Sequence, residues 1–230
     1  MPEEHNRVLT DHAADLLLPP TEVALAHLIS EGLGDRSVVV GDVMTDVCFR
    51  VRDAVAAAPP AMPGDVDVSG DYLVATIHRA ENTDDPDRLR ALIGALQALP
   101  LPVVLLAHPR LVARCAEFGI TLEQGAVRAA TPLPYPQMVA AVLHSRGVVT
   151  DSGGLQKEAF LLGVPCTTLR TETEWVETLE GGWNVLDPDL SLVADVAVRD
   201  VPSGAKAQPY GDGRAAQRVA RELLDRRPAG

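Results

Sequence analysis

The stretch Gly147-Val-Val-Thr-Asp-Ser-Gly-Gly-Leu-Gln-Lys-Glu158 reads as an apolar strand that turns through Ser152-Gly153-Gly154 into a helix. Glycines permit a tight turn and let a ligand approach the backbone closely. The first N–H groups of a helix lack intrahelical partners and sit at the positive end of its dipole, so such a turn is an anion site. Ser152 adds a hydroxyl donor or an N-cap. Glu158 lies four residues after Gly154, one turn on and on the same helix face. A carboxylate there can accept from both hydroxyls of a ribose. The same residues also fit a plain Ser N-cap, glycines that give clearance and a solvated glutamate.

Outward from this stretch, short β-branched runs alternate with longer Ala/Leu-rich periodic runs. Strands are predicted at 37–40, 72–77, 103–107, 126–130, 147–150 and 166–169. Helices are predicted near 6–18, 21–31, 43–57, 86–98, 110–118, 135–145, 154–162, 190–198 and 212–227. The runs at 72–77 and 103–107 are continuously apolar, which fits strands covered on both faces and hence a parallel sheet. The expected fold class is α/β, an open doubly wound parallel sheet that binds ligands at the carboxyl ends of its strands. Pro59-Pro60-Ala61-Met62-Pro63-Gly64 breaks a helical pattern and marks a boundary. The chain therefore divides into 1–58, 59–205 and 206–230. The first holds too little sheet for a domain of its own and reads as the remnant of a larger one. The second is a complete nucleotide-fold domain, and the last is a helix that packs back.

Two more strand ends carry chemistry. His78-Arg79-Ala-Glu81-Asn82 follows the strand at 72–77, and His108-Pro109 follows the strand at 103–107. A histidine at the carboxyl rim can donate to phosphate or shuttle a proton, and Arg79 is a permanent cation. Loop carbonyls can equally well hold such a histidine. Thr167-Thr-Leu-Arg170 ends in another cation, which faces a pyrophosphate or merely pairs with Glu172. Glu3 and Glu4 head the first helix, where acids are favoured in any case.

Composition narrows the ligand. The formal charge is −12, with 20 basic and 32 acidic residues, and aromatics are 3% of the chain. Such a chain is a poor partner for nucleic acid or an anionic membrane. A bound phosphate must be held by backbone amides and a few placed bases. Cys48, Cys115 and Cys166 are widely spaced, without a C-x-x-C, so no zinc or redox motif is expected and the thiols read as reduced, as in the cytoplasm. No apolar run is long enough to span a membrane, and the acidic N-terminus does not read as a signal peptide.

Taken in order, the strings Pro2-Glu3-Glu4-x-Asn6-Arg7, Pro20-Thr21-Glu22, Val40-Gly41-Asp42, His78-Arg79-x-Glu81-Asn82, His108-Pro109, Thr150-Asp151-Ser152-Gly153-Gly154-x-Gln156-x-Glu158, Leu169-Arg170-x-x-Thr173-Glu174 and Pro209-Tyr210-Gly211-Asp212-Gly213 resemble the non-hydrolysing UDP-N-acetylglucosamine 2-epimerases. The resemblance implies two Rossmann-like domains of the glycosyltransferase-B type, with this chain covering the C-terminal one and part of the N-terminal one. It implies inversion at C2 of UDP-GlcNAc to UDP-ManNAc by elimination and re-addition of UDP, without metal or other cofactor. It implies that His78 and Glu3 are catalytic and that His78 contacts the departing phosphate. Ser152, Gly153 and Gly154 would bind the diphosphate, Glu158 the ribose and Arg170 the substrate. His108 joins the substrate-binding set, and Met138 would touch uracil. UDP-GlcNAc or UDP is the implied ligand, and a homodimer or a separate N-terminal half the implied partner. Leu133, Lys157 and Asp42 stand where the family usually has Gln, an acid and Asn. The family's catalytic residues from its first half are expected to be missing, so the chain can bind UDP without turning it over. Readings that stay open are a UDP-binding subunit and a glycosyltransferase-like domain.

Overall fold

The computed structural model describes residues 2–57, 62, 66, 70–203 and 206–226, with the side chains of residues 2, 3 and 196 outside that description. The chain forms two compact units, Met1–Arg50 with Ala207–Gly230, and Val51–Lys206. Apart from Met62, the Pro-rich boundary 59–64 lies outside the described residues.

The first unit begins with helices α1 (Pro2–Ala13), α2 (Glu22–Ser30) and α3 (Val43–Val55), the last running on into the second unit. Helix α1 starts and ends earlier than the expected 6–18, because Pro2 suits a first helical turn and Leu17 is drawn into a backbone bridge with Ser37. The strand expected at 37–40 is only that bridge. Val38 N donates to Leu17 O at 2.9 Å and Val40 N to Pro19 O at 3.3 Å. Pro19 has no N–H to return to the neighbouring strand, so the ladder stops there.

The second unit is one sheet with helices on both faces. Its elements are β1 (Leu73–Thr76), α4 (Ala80–Thr83), α5 (Pro86–Gln97), β2 (Val103–Leu106), α6 (Pro109–Glu117), β3 (Val127–Ala130), α7 (Tyr135–Leu143), β4 (Gly147–Thr150), α8 (Gly153–Leu162), β5 (Cys166–Thr168), β6 (Asn184–Leu186) and α9 (Val193–Val196). All pairings are parallel, in the order β3-β2-β1-β4-β5-β6. This is the expected doubly wound α/β sheet. The chain turns back between β1 and β4, where ligands bind such sheets.

Alternation within the strands builds two cores. Leu73, Ala75 and Ile77 of the β1 run face Leu89, Leu92, Ile93 and Leu96 of α5. Tyr72 and Val74 face the opposite way, toward Ala141 and Val142 of α7 and Leu155 and Ala159 of α8. Both faces are thus buried, which is why the strands read as unbroken apolar runs. Helix α8 ends on Gly163 at φ +75°, a left-handed cap that needs glycine.

Strand β6 escapes the sequence reading. It has three residues, follows Gly181-Gly182 and carries little pattern of its own. Arg199 ties its start to β5 by donating to the carbonyls of Cys166, Gly182 and Trp183 at 2.8–3.1 Å. The helix expected at 190–198 shrinks to α9, because the buried Asp187 accepts from Ser191 N and Leu192 N and holds a turn there.

The last helix, α10 (Ala215–Asp225), returns to the first unit. Its first N–H groups are capped from a distance: Ala215 N and Ala216 N donate to the Asp46 carboxylate at 2.9 and 2.8 Å.

Leu105 is fully buried at the centre of β2. Leu105→Ala is expected to cost about 2–5 kcal/mol through lost transfer energy and the cavity left behind. Urea unfolding checks this through a lowered midpoint.

Candidate functional site

The ends of β1 and β4 are locked together first. Thr76 and Thr150, register partners in the two strands, share a hydroxyl hydrogen bond of 2.6 Å. Asp151, the next residue, is fully buried. Its carboxylate accepts from His78 N at 3.1 Å, Arg79 N at 2.9 Å and Asn82 Nδ2 at 3.1 Å. Asn82 also donates to Leu169 O at 3.1 Å, which draws in the end of β5. A buried carboxylate needs such donors, and here they are supplied by the loop that carries His78.

The same carboxylate lies 3.3 Å from His78 Nδ1. A proton on Nδ1 facing Asp151 leaves Nε2 as the ring atom available to a ligand. His108 is arranged differently. It caps α6, and its Nδ1 accepts from Arg110 N at 3.2 Å. That assigns its proton to Nε2. The two rings stand 6.1 Å apart between centroids.

Across from them, Ser152 caps α8, and its hydroxyl accepts from Leu155 N at 3.4 Å. The capping half of the local alternative is therefore present, while the N–H groups of Gly153 and Gly154 begin the helix. A cleft of about 370 Å³ opens here, lined by Thr76, His78, His108, Met138, Ser152 and Glu158 among others. Gly154 lines it too, as do Leu133 and Tyr135.

Glu158 is half-buried in that wall. Burial pushes its carboxyl above the ordinary carboxylate range, against the opposing pull of the Tyr135 hydroxyl and the nearby Lys157 charge. Lys157 itself is buried, with its Nζ 4.0 Å from the centroid of the Trp175 ring.

The remaining expected site residues fall elsewhere. Gly153 and Arg170 are not part of the cleft lining. Gly153 lies under the side chain of Glu174, to which Arg170 donates at 2.7 Å. Arg170 thus pairs with Glu174 and not with Glu172, the partner weighed from the sequence. Glu3 lies in α1 of the first unit, and its side chain is outside the described residues. Asp151, Tyr135 and Glu174 were given no role from the sequence. Only Asp151 carried a signal: an acid at the end of an apolar strand must find donors. Among the described residues no cluster of three potential metal ligands occurs, and no helix is long and apolar enough to cross a membrane.

This arrangement places a helix start, a carboxylate one turn along and two histidines around one cleft at the switch point. A family model described as UDP-N-acetylglucosamine 2-epimerase matches residues 1–224. The chain belongs to the UDP-N-acetylglucosamine 2-epimerase family. It is 39% identical to the UDP-2,3-diacetamido-2,3-dideoxy-D-glucuronate 2-epimerase of Pseudomonas aeruginosa, with 97% of this chain and 63% of that protein aligned. It is 33% identical to the UDP-N-acetylglucosamine 2-epimerase of Methanocaldococcus jannaschii, over 97% of this chain and 64% of that one. A crystal structure of the Methanocaldococcus jannaschii epimerase in complex with UDP-GlcNAc and UDP superposes with a TM-score of 0.78 at 30% identity, covering 98% of this chain and 65% of the other. The chain thus spans a little under two thirds of the length of these relatives.

Two outcomes follow from the site's electrostatics. Asp151→Ala strands the His78 and Arg79 N–H groups and Asn82, and is expected to cost about 3 kcal/mol or more in denaturant unfolding. Because burial raises the Glu158 carboxyl, the native state binds its proton more readily than the unfolded chain. Its presence therefore lowers stability as pH rises from the ordinary carboxylate range through the raised value. Glu158→Gln is expected to melt higher than the wild type at neutral pH, with the gap closing as pH falls from the raised value to the ordinary carboxylate range.

Proposed function

We propose that this chain holds UDP-GlcNAc by its uridine diphosphate end and belongs to an enzyme that interconverts UDP-GlcNAc and UDP-ManNAc. The observation that carries this is the cleft at the β1–β4 switch point. It is bounded by the start of α8 at Ser152 and Gly154, by Glu158 one turn on, and by His78 at the end of the neighbouring strand.

In this reading the N–H groups of Gly153 and Gly154 and the Ser152 hydroxyl hold the diphosphate. Glu158 accepts from the ribose hydroxyls, and its raised carboxyl costs less to bury once those donors arrive. Met138 and Leu133 pack against uracil. Where the family uses a glutamine on the base, Leu133 offers only apolar contact. Arg170 contributes positive charge beside Gly153. His78, with Nδ1 against Asp151, presents Nε2 to the phosphate that leaves, and His108 offers Nε2–H from the next strand end. As UDP departs, the C2 proton is removed, the C–H electron pair becomes the C1–C2 double bond, and the C1–O electrons leave with UDP. Re-addition of UDP with a proton on the other face gives the epimer. His78 stabilises charge on the departing group and Glu3 belongs to the catalytic carboxylates.

A second reading is a UDP-binding subunit that works with a separately supplied N-terminal half or a second copy. Incubating the chain with UDP-GlcNAc in deuterated water separates the two. UDP-ManNAc carrying deuterium at C2 is expected for the enzyme, whereas UDP binding without exchange points to the subunit. The Pseudomonas aeruginosa relative is named for a diacetamido glucuronate, so that nucleotide sugar belongs in a parallel assay. Glu158→Ala is expected to weaken UDP by about tenfold, as for loss of a charged hydrogen-bond acceptor. Equal affinities in calorimetry overturn the ribose role.

A further inference from the structure

A carboxylate already lies beside the start of α8. The Glu174 carboxylate lies so close over Gly153 that a Cβ at this position would strike its Oε1, and would lie 3.1 Å from its Cδ. The other oxygen of the same carboxylate, Oε2, accepts from Arg170 Nη1 at 2.7 Å. Arg170 is nearly buried, with 11% of its side chain exposed, whereas Glu174 is 47% exposed. One carboxylate therefore spans the helix start and the guanidinium beside it, and it does so from a position open to solvent.

The charges around Glu174 match this placement. Burial alone would raise its carboxyl. Its own backbone N–H, the Arg170 hydrogen bond, and the positive fields of Arg170 and Arg79 together hold it below the ordinary range. Both cations at this rim thus act on a resident anion.

The loop that carries Glu174 is built to stay in place. Thr173, the preceding residue, donates from its hydroxyl to Gln156 Oε1 at 2.8 Å, and Asn184 Nδ2 donates to the same oxygen at 2.9 Å. Gln156 is fully buried in α8 itself. Trp175 N returns to the Thr173 hydroxyl at 3.0 Å. The backbone on both sides of Glu174 is therefore anchored to the helix whose start it covers. Only the exposed side chain is free to rotate away.

We propose that Glu174 is a resident stand-in for the diphosphate, which keeps Arg170 and the start of α8 neutralised and in register until a nucleoside diphosphate displaces its carboxylate. This rests on reading Ser152–Gly154 as the diphosphate cradle. A diphosphate held at this helix start and the Glu174 carboxylate cannot share that space, because both are anions that crowd Gly153 and pair with the same guanidinium. Binding is then an exchange, in which the carboxylate swings to solvent and Arg170 passes from Glu174 to phosphate. Part of the favourable charge interaction with phosphate is offset by the interaction given up, so Glu174 weakens ground-state binding and eases release of UDP.

The sign of the effect separates this from a structural role. Removing a residue that merely supports the loop weakens UDP, whereas removing a competitor tightens it. Calorimetric titration of the 230-residue chain with UDP and with uridine, in wild type, Glu174→Gln and Glu174→Ala, reads it directly. Both variants are expected to bind UDP about five- to tenfold more tightly, the scale of one partly exposed charged hydrogen bond. Uridine, which lacks phosphate, is expected to bind all three alike. UDP bound by the wild type but equally or more weakly by both variants overturns the exchange and leaves the cradle standing. No UDP binding by any of the three overturns the cradle and the exchange with it.

Discussion

A buried carboxylate at the turn from β4 organises the ligand end of this sheet. Asp151 has no access to solvent, so its charge must be answered by donors inside the protein. It recruits the backbone of His78 and Arg79 and the amide of Asn82, all from the segment after β1. The crevice of a doubly wound sheet is otherwise only a gap between two diverging loops. Here the gap has one fixed wall, because the loop bearing His78 cannot move without leaving a buried anion short of partners. The Asn82 bridge to Leu169 extends this constraint to the strand end from which Arg170 emerges.

The electrostatics follow from the overall charge of −12. A chain this acidic cannot attract a phosphate with a broad positive field. The positive charge at this end of the sheet is local: the start of α8, one nearly buried arginine and two histidines oriented by their neighbours. The chain also carries acids close to those cations. Glu174 sits on the helix start and Glu158 stands one turn along, half-buried. Cations that are already answered do not drive non-specific binding of anions, and a ligand must compete for them with the right geometry.

Much of this could be read from residues alone, and where the reading failed the reasons are local. The strand at 147–150 and the turn into α8 are stated by composition: β-branched apolar residues, then Ser-Gly-Gly, then a helical period. The unbroken apolar runs at 72–77 and 103–107 announced a sheet buried on both faces, and the two cores on Leu73/Ala75 and Tyr72/Val74 are its realisation. By contrast, β6 is too short to show a pattern, and it exists because β5 and Arg199 supply its partners. The segment 37–40 had a strand's composition but met Pro19, which has no donor to give. Glu174 looked like any surface acid after an arginine.

Sequence alone determined the fold class, the position of the Ser-Gly-Gly turn into α8, the strand-end histidines and the family, because these depend on short-range pattern: residue types at fixed spacing that dictate backbone conformation and leave particular groups at strand ends. Tertiary structure alone decided which charges meet. Asp151 and His78 are far apart in the chain, and the carboxylate that covers Gly153 comes from a loop beyond the next strand. Such pairings are set by the order in which parallel strands are laid side by side, and electrostatic energy depends on the distances that order creates and on the water it excludes.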